Sequence, residues 1–155
     1  YESLLCVKHM RAASLDELKL FCKSKYLESY LNSCFANVKE DLDNNKIVLF
    51  TGVGCQIAGL YKYLQKSYSN LYTCEVVCHG MPSVLPLKKY IQEIEHKSNK
   101  KIQKIVFRDK SKGWKNNCIV EYYDDGTKER IFSSEHQVHS LYLDGLNMRR
   151  GCSKC

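Results

Sequence analysis

Three short cysteine-bearing motifs carry residue types that could do chemistry. In Thr51-Gly52-Val53-Gly54-Cys55-Gln56 an apolar run stops at two glycines and a thiol, and a helical pattern follows. Gly52 and Gly54 would let the backbone approach a ligand closely. The N–H groups of the next helix would favour an anion or a thiolate. The stretch fails the dinucleotide fingerprint, because Ile57 stands where a third glycine is due. It also lacks the Gly-Lys-Ser/Thr of a phosphate loop. A plain tight turn fits the glycines equally well, and Cys55 fits a nucleophile, a metal ligand or a small buried filler.

The second motif is Cys78-His79-Gly80, where Gly80 and Pro82 suggest a turn. Cys78 then sits at a strand end, and His79 could orient a ligand or relay a proton, although a hydrogen-bonded surface histidine is the plainer reading. The third is the terminal Arg149-Arg150-Gly151-Cys152-Ser153-Lys154-Cys155. Its CxxC lets two thiolates reach one metal, and the arginines would offset an anionic site. A lone CxxC fits a zinc pair, a cluster pair or a redox dithiol. With Cys55 and Cys78 it gives four thiolates, the full set for a 4Fe-4S cluster or for structural zinc. A basic loop, "FRDKSKGWK" from 107 to 115, adds Arg108 to clamp a pyrophosphate, Lys110 as a point charge and Trp114 to stack on a flat ring. An exposed ion-paired hairpin approach is the alternative reading of that loop.

Alternating strand and helix signals must position these groups. Ser14 and Glu17 have capping-box spacing ahead of Leu15, Leu18 and Phe21. The patterns predict strands over 3–7, 46–50, 71–78 and 101–107, helices over 35–45, 55–68, 84–97 and 136–148, and a hairpin over 118–134 about Asp125-Gly126. Strand, helix, strand, helix, strand is α/β grammar. The expected fold is a mixed sheet with a parallel βαβαβ core, an antiparallel C-terminal hairpin and helices packed on the sheet. If the three core strands are parallel, Thr51–Gln56, Cys78–Gly80 and Arg108–Lys110 meet at one sheet edge, where α/β ligands bind.

Composition bounds the rest. The chain has 155 residues, 44% apolar and 26% charged, so one globular domain with a real core is expected. No apolar run reaches the roughly 18 residues of a membrane helix. The net charge of +7 suits an anionic partner. Between Lys97 and Lys115 lie eight Lys or Arg and one acid, Asp109, which a solvated basic face also explains. Nucleic-acid binding ranks last, since the basic stretch has one tryptophan and no reading motif. Nine cysteines, an odd count with several in apolar runs, suggest a reducing, cytoplasmic setting with a few ligands and the rest packing. A start at Tyr1 and a stop at Cys155 suggest a segment of a longer protein.

Taken together, "KIVLFTGVGCQIAGLYKYL", "VVCHGMPS", "FRDKSKGW" and "RRGCSKC" resemble, in order and spacing, the beta-subunit family of coenzyme F-420 hydrogenases and dehydrogenases. The similarity runs from about residue 25 onward. It implies an α/β domain of an iron–sulfur flavoprotein that binds FAD and a 4Fe-4S cluster. In the archaeal members electrons pass between cluster, flavin and the deazaflavin coenzyme F-420. Related plant and cyanobacterial proteins reduce chlorophyll intermediates, and bacterial relatives often occur among polysaccharide-synthesis proteins. By matched motif, Cys55, Cys78, Cys152 and Cys155 become cluster ligands. Thr51, Gly52, Gln56, His79, Arg108 and Lys110 become flavin-pocket residues. The family's usual Gly-Thr-Pro-Cys-Gln reads Gly52-Val53-Gly54-Cys55-Gln56 here, which loosens the turn and removes a threonine hydroxyl. The implied partners are a redox protein or a ferredoxin-like domain of the same chain, and a small-molecule acceptor. The competing expectations are a zinc-stabilised interaction module and an accessory enzyme of cell-surface polysaccharide synthesis.

Overall fold

A computed structural model describes residues 2–22, 24–115 and 117–154. The elements in order are α1 (Glu2–Leu5), β1 (Val7–Lys8), α2 (Leu15–Lys19), β2 (Ser29–Tyr30), α3 (Cys34–Asp43), β3 (Val48–Val53), α4 (Gly54–Leu64) and β4 (Leu71–Val76). Then come α5 (Val84–Ser98), β5 (Ile102–Asp109), β6 (Cys118–Tyr123), β7 (Lys128–Phe132), α6 (Gln137–Leu143) and a 3-10 turn at Arg150–Lys154.

The α/β class, the parallel β3–α4–β4 unit and the antiparallel hairpin are as the sequence predicts. In the parallel pair Val48 lies opposite Leu71 and Val53 opposite Val76. α3 and α4 cover one face, and Val38, Leu42, Phe50, Ile57, Leu60 and Leu64 form the core there. The apolar residues of α4 recur at helical steps, so one stripe turns inward. The third predicted core strand goes elsewhere. β5 pairs antiparallel with β6, and β6 with β7, in a separate three-stranded sheet. The basic turn after β5 folds the chain straight back, so β6 takes its ladder bonds, and α5 packs on this sheet. Leu87 and Ile91 of α5 meet Ile102 and Tyr123 in a second core. The parallel unit therefore has two strands, and β5 does not bring its end to the β3–β4 edge by pairing.

At the start, a helical turn replaces the strand expected over 3–7. Leu4 and Leu5 both pack on the second core. Adjacent residues of a strand point to opposite faces, whereas a helical turn lets both leucines turn inward. The Ser14–Glu17 capping box forms as its spacing predicts.

Two surface carboxylates bind the outer elements through charge-assisted bonds. Asp43 accepts from Lys39 Nζ at 2.6 Å and Tyr68 Oη at 2.7 Å, which hold its pKa down at about 2. Asp125, held by Lys100 and Thr127, is likewise lowered to about 2. Both folded pKa values lie below the ordinary 3.8, so the stability they contribute is complete above 3.8 and is lost as pH falls towards 2. An acid titration followed by circular dichroism should therefore show a less steep loss of stability between those values in the Asp43→Asn, Asp125→Asn double variant. An unchanged slope would contradict this assignment.

Candidate functional site

The polypeptide leaves β4 through Val77 and turns sharply at Gly80. Gly80 has φ of +125°, a conformation L side chains rarely adopt, and a Cβ there would lie 3.0 Å from the Met148 sulfur. Beyond it, residues 81–83 run beside residues 147–149. Pro82 and Met148 form an antiparallel bridge, Ser83 N–H donates to the Asn147 carbonyl at 2.8 Å, and Arg149 N–H donates to the Met81 carbonyl at 2.8 Å. This backbone strap returns the terminal motif to the end of β4.

The consequence is a pair of thiols on consecutive amides. Gly80 N–H donates to Cys78 Sγ at 3.3 Å, and Met81 N–H donates to Cys152 Sγ at 3.4 Å. Cys78 is exposed and Cys152 half-buried. The structure thus unites two thiols from motifs far apart in the chain. Cys55, exposed in the first turn of α4, follows β3 at the same sheet edge from which Cys78 follows β4. Cys155 lies outside the described residues. Among the described residues no group of three or more His, Cys, Asp or Glu is arranged to hold a metal ion.

An aromatic layer flanks the thiols. The exposed His79 ring packs edge-on against Tyr142 at 5.4 Å. Tyr142 meets Tyr26 at 5.3 Å, and Tyr26 meets Phe107 of β5 at 5.7 Å. Burial, then the nearby Cys78 charge, pushes the Tyr142 phenol up. His139, buried beside Tyr26, is pushed down by burial and then by His136. The end of β5 thus reaches this layer through Phe107 rather than through sheet pairing.

The glycine turn has its own occupants. Gln56 Oε1 accepts from Val53 N–H at 3.1 Å, so Gln56 ties the turn to the helix start. A Cβ on Gly52 would lie 3.0 Å from the Phe50 ring and 3.1 Å from Gln56 Oε1. One on Gly54 would lie 2.7 Å from Glu75 Oε1. A carboxylate therefore rests against the helix start that the sequence pattern offers to an anion. Thr51 is exposed, and its carbonyl contacts His9 Nε2 at 3.3 Å.

In the basic loop, Lys110 Nζ stands 3.6 Å and the Arg108 guanidinium 5.3 Å from the Trp114 ring centroid. The three predicted residues are together, and Trp114 is 72% exposed. Asp109 is turned to a different task, pairing with Arg130 and accepting from Ser111 Oγ at 2.7 Å. These contacts hold its carboxyl below the usual range, the Ser111 bond most strongly.

Sequence reasoning missed Tyr142, the Gly80 and Met81 amides, and the buried Glu121–His136 pair. Glu121 was visible as a lone acid inside the apolar run Cys118–Tyr123. The Gly80 amide depends on the local turn geometry, and Tyr142, the Met81 amide and His136 on contacts distant in sequence.

A comparison with known families places the chain. A family model for the C terminus of the coenzyme F420 hydrogenase/dehydrogenase beta subunit matches residues 45–155. No curated protein and no solved structure gives a significant match. Among the described residues no helix is long and apolar enough to cross a membrane. The match spans the glycine turn, the Cys78 loop, the basic loop and the terminal cysteine motif, and the chain belongs to the coenzyme F420 hydrogenase/dehydrogenase beta subunit family, as an oxidoreductase-related domain.

Proposed function

We propose that this chain is an electron-transfer domain, passing electrons between a 4Fe-4S cluster, FAD and an acceptor of the deazaflavin coenzyme F-420 type or another small molecule. The observation that carries the reading is the pair Cys78 and Cys152, held on the consecutive amides of Gly80 and Met81. Thiolates are the ligands iron–sulfur clusters take, and N–H donors to their sulfurs tune the potential. The donor set suits such a group: Cys78 and Cys152 would hold it, with Cys55 and Cys155 as the remaining thiols. The cofactors supply the redox chemistry when bound, while this chain binds, orients and shields them. Trp114, Arg108 and Lys110 offer a stacking surface with two cations for an anionic flavin. Gln56 and Gly52 shape the turn on which Thr51 and Gly54 would face the flavin. His79, exposed beside Cys78, would relay a proton.

The partners on this reading are a redox protein or ferredoxin-like domain in a reducing, cytoplasmic setting. Anaerobic reconstitution with iron, sulfide and FAD, followed by stepwise reduction, tests it. Cluster and flavin absorption should both appear and both bleach. Well-folded protein that takes up neither contradicts the reading.

A further inference from the structure

A cavity of about 330 Å³ opens beside the thiol strap and has no part in the reading above. That volume is within the range of small-molecule sites. Leu27, Pro82 and Val84 supply apolar wall, and Tyr30 supplies an exposed aromatic edge. Its charges are one pair, Arg149 and Glu28, whose Nη2 and Oε2 lie 2.5 Å apart. Both side chains are substantially exposed, at 59% and 42%, so the pair is weak and exchangeable.

The surroundings decide which half of the pair a ligand would replace. The cavity includes Ser83 and Val84, the N-cap and first residue of the fifteen-residue α5, the positive end of its dipole. The chain carries +7 overall. An incoming anion would take Glu28's place on Arg149, with field and net charge both in its favour. An incoming cation would have to displace Arg149 against both.

We infer that this cavity is a binding site for a small organic acid with an apolar or aromatic body, whose carboxylate exchanges with Glu28 on Arg149. Glu28 acts as a built-in competitor that occupies the arginine when the site is empty. Glu28 keeps the exposed Arg149 oriented in the cavity, and a neutral molecule of the same shape gains nothing from the arginine's charge.

The probe is 2-naphthoate, with 2-naphthamide as its neutral counterpart, titrated calorimetrically into the full chain and two variants. In the wild type the acid should bind tighter than the amide. Glu28→Gln should tighten the acid about fivefold by removing the competitor, and Arg149→Gln should weaken it about fivefold, the scale of one exposed ion pair. The amide should respond to neither change. Circular dichroism confirms folding, and Arg149→Lys serves if Arg149→Gln unfolds, since it keeps the charge and should retain most acid binding. Equal binding of acid and amide, no acid binding to the wild type, or weaker acid binding by Glu28→Gln would overturn the inference. The test needs no metal or flavin, so its failure is distinct from failure of the electron-transfer reading.

Discussion

Cys152→Ser, and separately Cys78→Ser, should lower the iron retained after anaerobic reconstitution at least about tenfold, the scale seen when even outer-shell partners of a metal are lost. The two thiols come from motifs far apart in the chain and reach consecutive amides where residues 147–149 pair with residues 81–83. Each sulfur accepts one backbone N–H, from Met81 and Gly80 respectively. Serine keeps the size and accepts the same bond, so the fold should survive while the soft ligand is gone. The equivalent change at Cys22, exposed and with its thiol donating to the Leu18 carbonyl, should leave iron uptake as in the wild type. Equal iron uptake by all three variants would show that the pair is structural.

The second large effect concerns stability. His136→Ala should cost about 3–5 kcal/mol in urea unfolding, through two mechanisms acting at one place. Glu121 and His136 side chains are both 0% exposed, with Nε2 and Oε1 at 3.3 Å. The other Glu121 oxygen accepts from Tyr123 Oη at 3.0 Å, and the Tyr90 ring packs on the imidazole at 4.6 Å. Burial first, and then the Glu121 carboxylate, push both the Tyr90 and Tyr123 phenols well up. Removing the imidazole leaves a cavity and takes one polar partner from the buried carboxylate, which Tyr90 and Tyr123 still face. Glu121→Gln keeps the shape and a polar contact and should cost about 1–2 kcal/mol. A loss below about 1 kcal/mol for His136→Ala would mean that the site collapses or hydrates. His136 also precedes α6, which carries Tyr142 towards Cys78. A folded His136→Ala protein should therefore show altered Tyr142 resonances as well.

Local signals in the sequence correspond to local features of the fold. The Ser14–Glu17 box, the turn from β3 into α4 and the Asp125-Gly126 hairpin are each set within a few residues, so spacing and residue type suffice. Strand partner choice is not local. Ile102–Asp109 reads as a strand either way, and only the fold-back of the basic loop and the packing of α5 commit it to β6. The same limit governs the site. Cysteine spacing points to Cys78 and Cys152, but the amides that hold them depend on Gly80's left-handed backbone and on the strap. Gln56 illustrates the opposite case. Its place in a family motif assigns it to the cofactor, and its side chain also secures the turn to the helix, a contact the motif alone does not reveal. Glu121 could be flagged as an acid in an apolar strand, yet its partner lies in a different element.

Native mass spectrometry of the anaerobically reconstituted wild-type chain decides whether these thiols hold a cluster beside a flavin. A mass gain equal to one 4Fe-4S cluster together with one FAD is the predicted result. A gain equal to a single zinc ion, or no gain at all in folded protein, would contradict it.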